Sequence, residues 1–260
     1  MVQEFSRRDL LVPGAVAAAG LVLGVSLPTV GAEKGQAKRC VVVWSEGTAP
    51  KKVYPNDING AIAEGLKDLK DWEVVKANLS DPDQGLPEGL LKRADVLIWW
   101  GHQKHDQVKD ELVDKIVKRV KEEGMGFIAL HSSHFAKPNK VLMGTACTWG
   151  AYKVDATTCT IKAADPKHPI CEGLPAEFTL NHEERYSEPY AVPEPKAVPL
   201  TGFHTLKDGS KDNARIGLCW DIGKAKYFYM MVGHETNPVF MDENIRKIMA
   251  NAVKWAAPAK

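Results

Sequence analysis

Unbroken apolar runs alternate with stretches of helical spacing along most of this chain. Cys40 to Trp44 and Val96 to Trp100 are each five apolar residues in a row, and Phe127 to Leu130 and Tyr227 to Val232 have the same character. A strand covered on both faces shows no polar alternation, so these runs predict strands near 40–45, 96–100, 126–130 and 227–232 in a buried sheet. Ile58, Ile62, Leu66 and Leu69 mark one helix, and Val108, Leu112, Ile116 and Val120 a second, at steps that keep side chains on one helix face. Ile245, Met249, Ala252, Val253 and Ala256 mark a closing helix in the same way.

Strands that alternate with helices predict a mostly parallel sheet with right-handed crossovers and helices on both faces, a doubly wound α/β fold. From about Thr157 to Trp220 this rhythm breaks into proline-containing, β-rich pieces such as Cys159 to Lys162 and Ala197 to Phe203. The stretch is too long for a plain loop and reads as an inserted or edge-strand region beside the active face.

The bulk properties narrow the partners more than the fold. Thirty-four Lys plus Arg against 33 Asp plus Glu give a net charge of +1 over 260 residues, so no long-range field favours nucleic acid or an anionic membrane. Ser6-Arg7-Arg8-Asp9-Leu10-Leu11 opens a weakly apolar stretch to about Leu27, and Val30-Gly31-Ala32 supplies the small residues a signal peptidase accepts. Residues 1–32 therefore read as a twin-arginine signal cut after Ala32, which predicts a periplasmic protein whose single domain is 33–260. Pro13, Gly14 and the alanine-rich run argue against an anchor, so no stable membrane span is expected in the mature form. Five cysteines cannot all pair, and Cys40 and Cys219, inside apolar runs, read as core fillers.

Ligands of open α/β sheets bind beyond the carboxyl ends of the strands, and histidines crowd there. His102 and His105 follow the Trp99-Trp100 run, His131 and His134 follow Leu130, and His234 follows Val232. A single loop histidine is ordinarily a surface or capping residue, but five at strand ends can supply ligands for zinc or another divalent ion, or a proton shuttle near neutral pH. Glu184, in the polar run Asn181 to Glu188, can act as ligand or general base if its loop folds over the crevice. Adjacent His234-Glu235 can supply an acid–base group and its orienting partner. Trp99, Trp100, Trp149 and Tyr186 can stack on a sugar ring, although aromatics in such runs ordinarily belong to the core.

Taken in order, VVVWSE (41–46), DVLIWWGHQKHDQV (95–108), GMGFIALHSSHFAKPNKVLMGT (124–145), EERYSEPY (183–190) and YMMVGHETNPVF (229–240) resemble the trehalose-utilisation, ThuA-like family of the class I glutamine amidotransferase-like fold. With YPNDINGAIAEGL (54–66), HPICEGLPAEFTL (168–180) and NAVKWA (251–256) the resemblance covers nearly the whole of 33–260. It implies a flavodoxin-like sheet whose sharp strand-to-helix turn puts His131 where an amidotransferase carries its cysteine, so thiolate chemistry does not carry over. It also implies that His234 approaches His131, and that Glu184 and Tyr186 match the family's E-x-Y motif. Where many relatives have glycine in this turn the chain has Ser133, which must fit without glycine's freedom.

The resemblance implies a 3-keto sugar or glycoside as substrate and a zinc ion as cofactor. The leading expectation is a metal-dependent hydrolase or lyase with metal ligands His102, His131 and His234, acid–base groups Glu184, His234 and Glu235, and substrate contacts Trp100, His105, His134 and Tyr186. The alternative is a non-catalytic module that presents the sugar to a partner oxidoreductase. A Ser132–His131 hydrolase fails for want of a glycine-flanked nucleophile turn. The oligomeric state stays open, a homo-oligomer included.

Overall fold

The computed structural model describes residues 38–259; the segment read as a signal, 1–32, lies outside them. In chain order the elements are β1 (Arg39–Ser45), α1 (Asp57–Leu66), β2 (Trp72–Asn78), α2 (Glu88–Arg93), β3 (Val96–Trp100), α3 (Asp110–Lys121), β4 (Gly126–Leu130) and α4 (Lys137–Met143). Then follow β5 (Ala151–Lys153), β6 (Ala156–Ala163), β7 (Glu177–Asn181), β8 (Arg185–Ser187), β9 (Ala197–Leu206), β10 (Lys211–Ile222), β11 (Ala225–Met230) and α5 (Glu243–Ala256).

Nine strands form one sheet in the order β2-β1-β3-β4-β11-β10-β9-β6-β7, and β5 pairs with β8 in a separate two-stranded sheet. The first five are parallel, in the flavodoxin-like order, and β10, β9, β6 and β7 extend the sheet antiparallel. The four strands predicted from apolar runs are β1, β3, β4 and β11, the centre of the parallel half. Of the two readings of the middle of the chain, an insertion or edge strands, the structure bears out the second: most of it continues the same sheet to its far edge, where antiparallel hairpins replace helical crossovers.

β2 escapes the apolar-run criterion because it is an edge strand, with exposed Glu73 and Lys76 on either side of half-buried Val74 and Val75. The short helices α2 and α4 carry too few turns for a legible period. α1 stops at Leu66, leaving Leu69 beyond its end, and α3 begins two residues after Val108. Crossovers from β1 to β2 and from β3 to β4 run in opposite directions across the sheet, so right-handed connections put their helices on opposite faces. α1 accordingly packs on α5, and α3 on α2 and α4.

Aromatic rings from adjacent parallel strands stack through the core. Trp44 lies 3.7 Å from Trp99, Trp99 6.4 Å from Phe127, and Phe127 5.4 Å from Tyr227. All five cysteines are buried and unpaired, and burial pushes the Cys40 and Cys171 thiols up to about 11. No helix among the described residues is long and apolar enough to cross a membrane.

The register has a functional consequence. Ser45, Trp100, Leu130 and Met230 are partners in a single row, so the residues that follow them emerge level at one edge of the sheet.

Gly126 opens β4 directly beneath the end of α5, where a Cβ would sit 2.3 Å from the Ala256 carbonyl oxygen, whereas a Cβ on Gly89 of α2 meets open space. Gly126→Ala should therefore lower stability by about 1–3 kcal/mol, as overpacking does. Gly89→Ala should raise it by about 0.5–1 kcal/mol through helix propensity. Urea midpoints at unchanged slope check both, and two shifts of one sign would refute the packing.

Candidate active site

After β4 the chain turns sharply: His131 takes a φ of 49°, a left-handed conformation that is costly for a side-chain-bearing residue, and opens a 3-10 turn from His131 to Phe135. Gly233, after β11, lies against this turn with a φ of 134°, and a Cβ there would be 2.7 Å from the Phe240 ring and 3.4 Å from His131 Cβ. Ser133 fits without a positive φ because the strain falls on His131 instead. Its hydroxyl donates to the Trp99 carbonyl at 2.9 Å and accepts from Gly101 N–H at 2.8 Å, which stitches the end of β3 to the turn.

His131 is fully buried and held by both ring nitrogens. Nδ1 lies 2.7 Å from the Met231 carbonyl, which can only accept, so Nδ1 carries the proton. Nε2 then faces Glu184 Oε2 at 3.0 Å and the Tyr186 hydroxyl at 3.0 Å, while the Tyr186 ring stacks on the imidazole at 4.7 Å. His234 Nε2 lies 3.6 Å from the same Glu184 oxygen. Burial alone would depress the His131 pKa, but the hydrogen bond to Glu184 and the charges of Glu183 and Glu184 outweigh it and raise the value. Glu184 is held below the usual carboxylate range because His131 and His234 outweigh its own burial. Burial and the neighbouring His131 both push His234 down.

Glu184 reaches this point because its neighbours in sequence are clamped. Buried Glu183 accepts from the backbone N–H groups of Gly233 at 3.2 Å and His234 at 3.0 Å. Arg185, at the start of β8, bridges Asp155 at 2.7 Å and Asp212 at 2.5 Å. Sequence reasoning passed over Glu183, Arg185 and both aspartates; the one legible signal was the density of charge around Glu184, which also fits a solvated loop.

One ring away is a second pair. His102 Nδ1 lies 2.7 Å from Glu235 Oε2, and the His102 and His234 rings meet edge to face at 5.3 Å. Burial would raise the Glu235 pKa, but the hydrogen bond from His102 and the charge of His234 carry it down to about 2. Gln103 Nε2 donates to the other Glu235 oxygen at 3.4 Å.

The ligand-capable atoms thus fall into two overlapping triads, His131–Glu184–His234 and His102–His234–Glu235, which share His234. The expected trio His102, His131 and His234 does not form a single group. The first triad fits a tetrahedral divalent ion: ligand bonds of about 2.0–2.2 Å imply ligand separations of roughly 3.3 Å, against the 3.0 and 3.6 Å here. The Met231 carbonyl fixes His131 in the tautomer that such ligation requires. In the second triad His102 and Glu235 already satisfy each other, and His234 Nδ1 is 2.8 Å from the Thr236 hydroxyl.

Other expected contacts lie elsewhere. Trp100 is fully buried and donates through Nε1 to the Gly233 carbonyl at 3.1 Å, so it shapes the site from below rather than meeting a sugar. His134 is buried with Nδ1 against the Cys147 carbonyl at 2.7 Å, and burial drives its pKa down to about 3. Tyr186 is buried yet touches His131, and His105 sits apart, beside Glu46. A surface cavity of about 640 Å³ between α1 and β2 contains none of these histidines.

Comparison with known proteins agrees with this architecture. Solved structures with the same fold include a ThuA-like protein from Parabacteroides merdae, 14% identical, covering 85% of this chain and 90% of that one with a TM-score of 0.64. Another is a ThuA-like protein from Bacteroides uniformis, 16% identical, with 86% and 94% coverage and a TM-score of 0.58. A third is a cytoplasmic protein from Salmonella typhimurium, 14% identical, with 84% and 99% coverage and a TM-score of 0.58. No curated protein matches the chain. The family model described as trehalose utilisation matches residues 40–256, almost the whole described structure. The chain therefore belongs to the ThuA family.

Proposed function

We propose that the protein is a metal-dependent enzyme acting on an oxidised sugar, a 3-keto sugar or glycoside, which it cleaves or rearranges beside the keto group. The observation that carries this reading is the fixed His131 ring. With Nδ1 committed to a carbonyl, only Nε2 faces Glu184, in a position that a proton bridges in the free protein and a divalent cation can take in its place, and His234 completes the set. His131, His234 and Glu184 would hold the ion, zinc being favoured by two imidazoles and one carboxylate. Bound there, it would supply a Lewis acid to polarise the keto oxygen.

A keto group acidifies the neighbouring C–H, so cleavage needs one proton transfer, from that carbon to the glycosidic oxygen whose C–O bond breaks on the next carbon. His102 performs it: Glu235 holds Nδ1–H, fixes the tautomer and stabilises the imidazolium formed when Nε2 accepts the proton. Tyr186, its pKa raised well above the ordinary value by burial, stays protonated and donates beside His131. The twin-arginine motif and the family's link to trehalose use support a reading in which this chemistry runs in the periplasm, downstream of a sugar oxidoreductase that supplies the keto group.

Elemental analysis and turnover of a 3-keto disaccharide test the assignment. His131→Ala and His234→Ala should each lose bound zinc. His102→Ala should keep the metal and lose about 10²–10⁴-fold in turnover, the usual worth of an acid–base group. Wild-type protein free of metal would overturn the mechanism, and sugar binding indifferent to chelator with no turnover would favour a binding module.

In chelated protein Glu235 should set an acid limit. Its folded-state pKa of about 2 lies below the ordinary 4.5, so the folded state binds fewer protons between these values. The stability it contributes is complete above about pH 4.5 and disappears as pH falls towards 2. Melting temperatures of wild type and Glu235→Gln should converge over that window, and parallel curves would count against the pairing.

Lysine at both Arg7 and Arg8 should keep the precursor in the cytoplasm, and exported protein should begin near Glu33. An intact N-terminus by mass spectrometry would instead indicate an anchor.

A further inference from the structure

Strand order reverses between β1 and β3, because β1 leads to β2 on one side and β3 to β4 on the other. Ligands of doubly wound sheets enter at this switch point. The groups there take no part in the zinc triad or the His102–Glu235 pair. Glu46 follows β1 and is 1% exposed; Oε2 accepts from the N–H groups of Gln103 at 2.8 Å and Lys104 at 3.0 Å, while Oε1 finds no partner in the protein. His105 Nδ1 is 3.6 Å from that free oxygen, too far for a hydrogen bond, and both its ring nitrogens are buried and unpartnered. The buried Thr48 hydroxyl is unpartnered as well. Gly101 packs between Glu46 and His105: a Cβ there would lie 2.9 Å from Glu46 Oε1 and 3.3 Å from the His105 ring.

A buried polar group without a partner forfeits its hydration for nothing, so several together at a ligand-entry point indicate a partner from outside the chain. The chemistry of the set selects that partner. A carboxylate repels phosphates and acids, and polar groups disfavour an apolar ligand. Burial lowers the His105 pKa and keeps the ring neutral, so it offers one donor and one acceptor.

We propose that Glu46 and His105 form a second subsite, which takes a hydroxyl of a neutral sugar ring beside the reacting unit. That hydroxyl donates to Glu46 Oε1 and accepts from His105. The His105 side chain is 15% exposed and no hydrogen bond holds it, so its rotation opens the way in. Gln103 couples the two regions, with its N–H on Glu46 and its side chain on Glu235. The subsite rests on the reading of the substrate as a sugar and makes that substrate larger than one ring.

Titration calorimetry with unoxidised trehalose, which has no keto group to react, isolates this subsite. Glu46→Gln and His105→Phe should each weaken binding by about tenfold or more, the worth of a hydrogen bond to a charged group. His105→Phe serves as the second variant should Glu46→Gln fail to fold. Wild-type affinity in both variants, or no binding of trehalose by the wild type at millimolar concentration, would overturn the proposal. So would loss of one bound cation per chain in Glu46→Gln, which would make these residues a cation site. Zinc content and turnover of the wild type report on the reactive centre separately: their absence would sink the enzyme reading while Glu46-dependent trehalose binding still upheld the subsite.

Discussion

The hydrogen bond between His131 Nδ1 and the Met231 carbonyl is the constraint on which the site turns. It is made between the ends of β4 and β11, adjacent parallel strands, and it decides which nitrogen is left for chemistry. Because that nitrogen is Nε2, Glu184 and Tyr186 gather around it and His234 closes the group. A backbone acceptor cannot change its protonation state, so it fixes the tautomer more firmly than a titrating side chain would. The left-handed turn at His131 is the conformational cost of this placement.

Division of labour follows from His234. It faces Glu184 on one side and the His102–Glu235 pair on the other, so a group suited to holding charge and a group suited to moving a proton sit within one ring of each other. Their environments push the two carboxylates in the same direction by different means. Glu184 is held down by two imidazoles, and Glu235 chiefly by one hydrogen bond from His102.

The centre of the parallel half was legible because burial on both faces leaves unbroken runs of buried apolar and aromatic residues within β1, β3, β4 and β11. β2 was not, because an edge strand keeps one side in water and its Glu73 and Lys76 break the run. At the site, position along the chain revealed which histidines stand at strand ends but not which nitrogen each presents. That is why His102 was grouped with His131, although its own nearest partner is Glu235. Trp100 and His134, expected as substrate contacts, are buried for a related reason: a residue at a strand end can point down into the core as readily as up into the crevice, and only packing decides. Glu46, at the end of β1, carried no signal beyond its single charge.

The five buried, unpaired cysteines bear on where such a chain can mature. The thiolate is the reactive form, and thiols whose pKa values are driven up to about 11 or beyond are almost never in it near neutral pH. No cross-link has to form before the core closes, and none can be scrambled afterwards. The native state therefore needs no thiol oxidase to form: the fold can be completed in a reducing compartment and kept in an oxidising one without a disulfide.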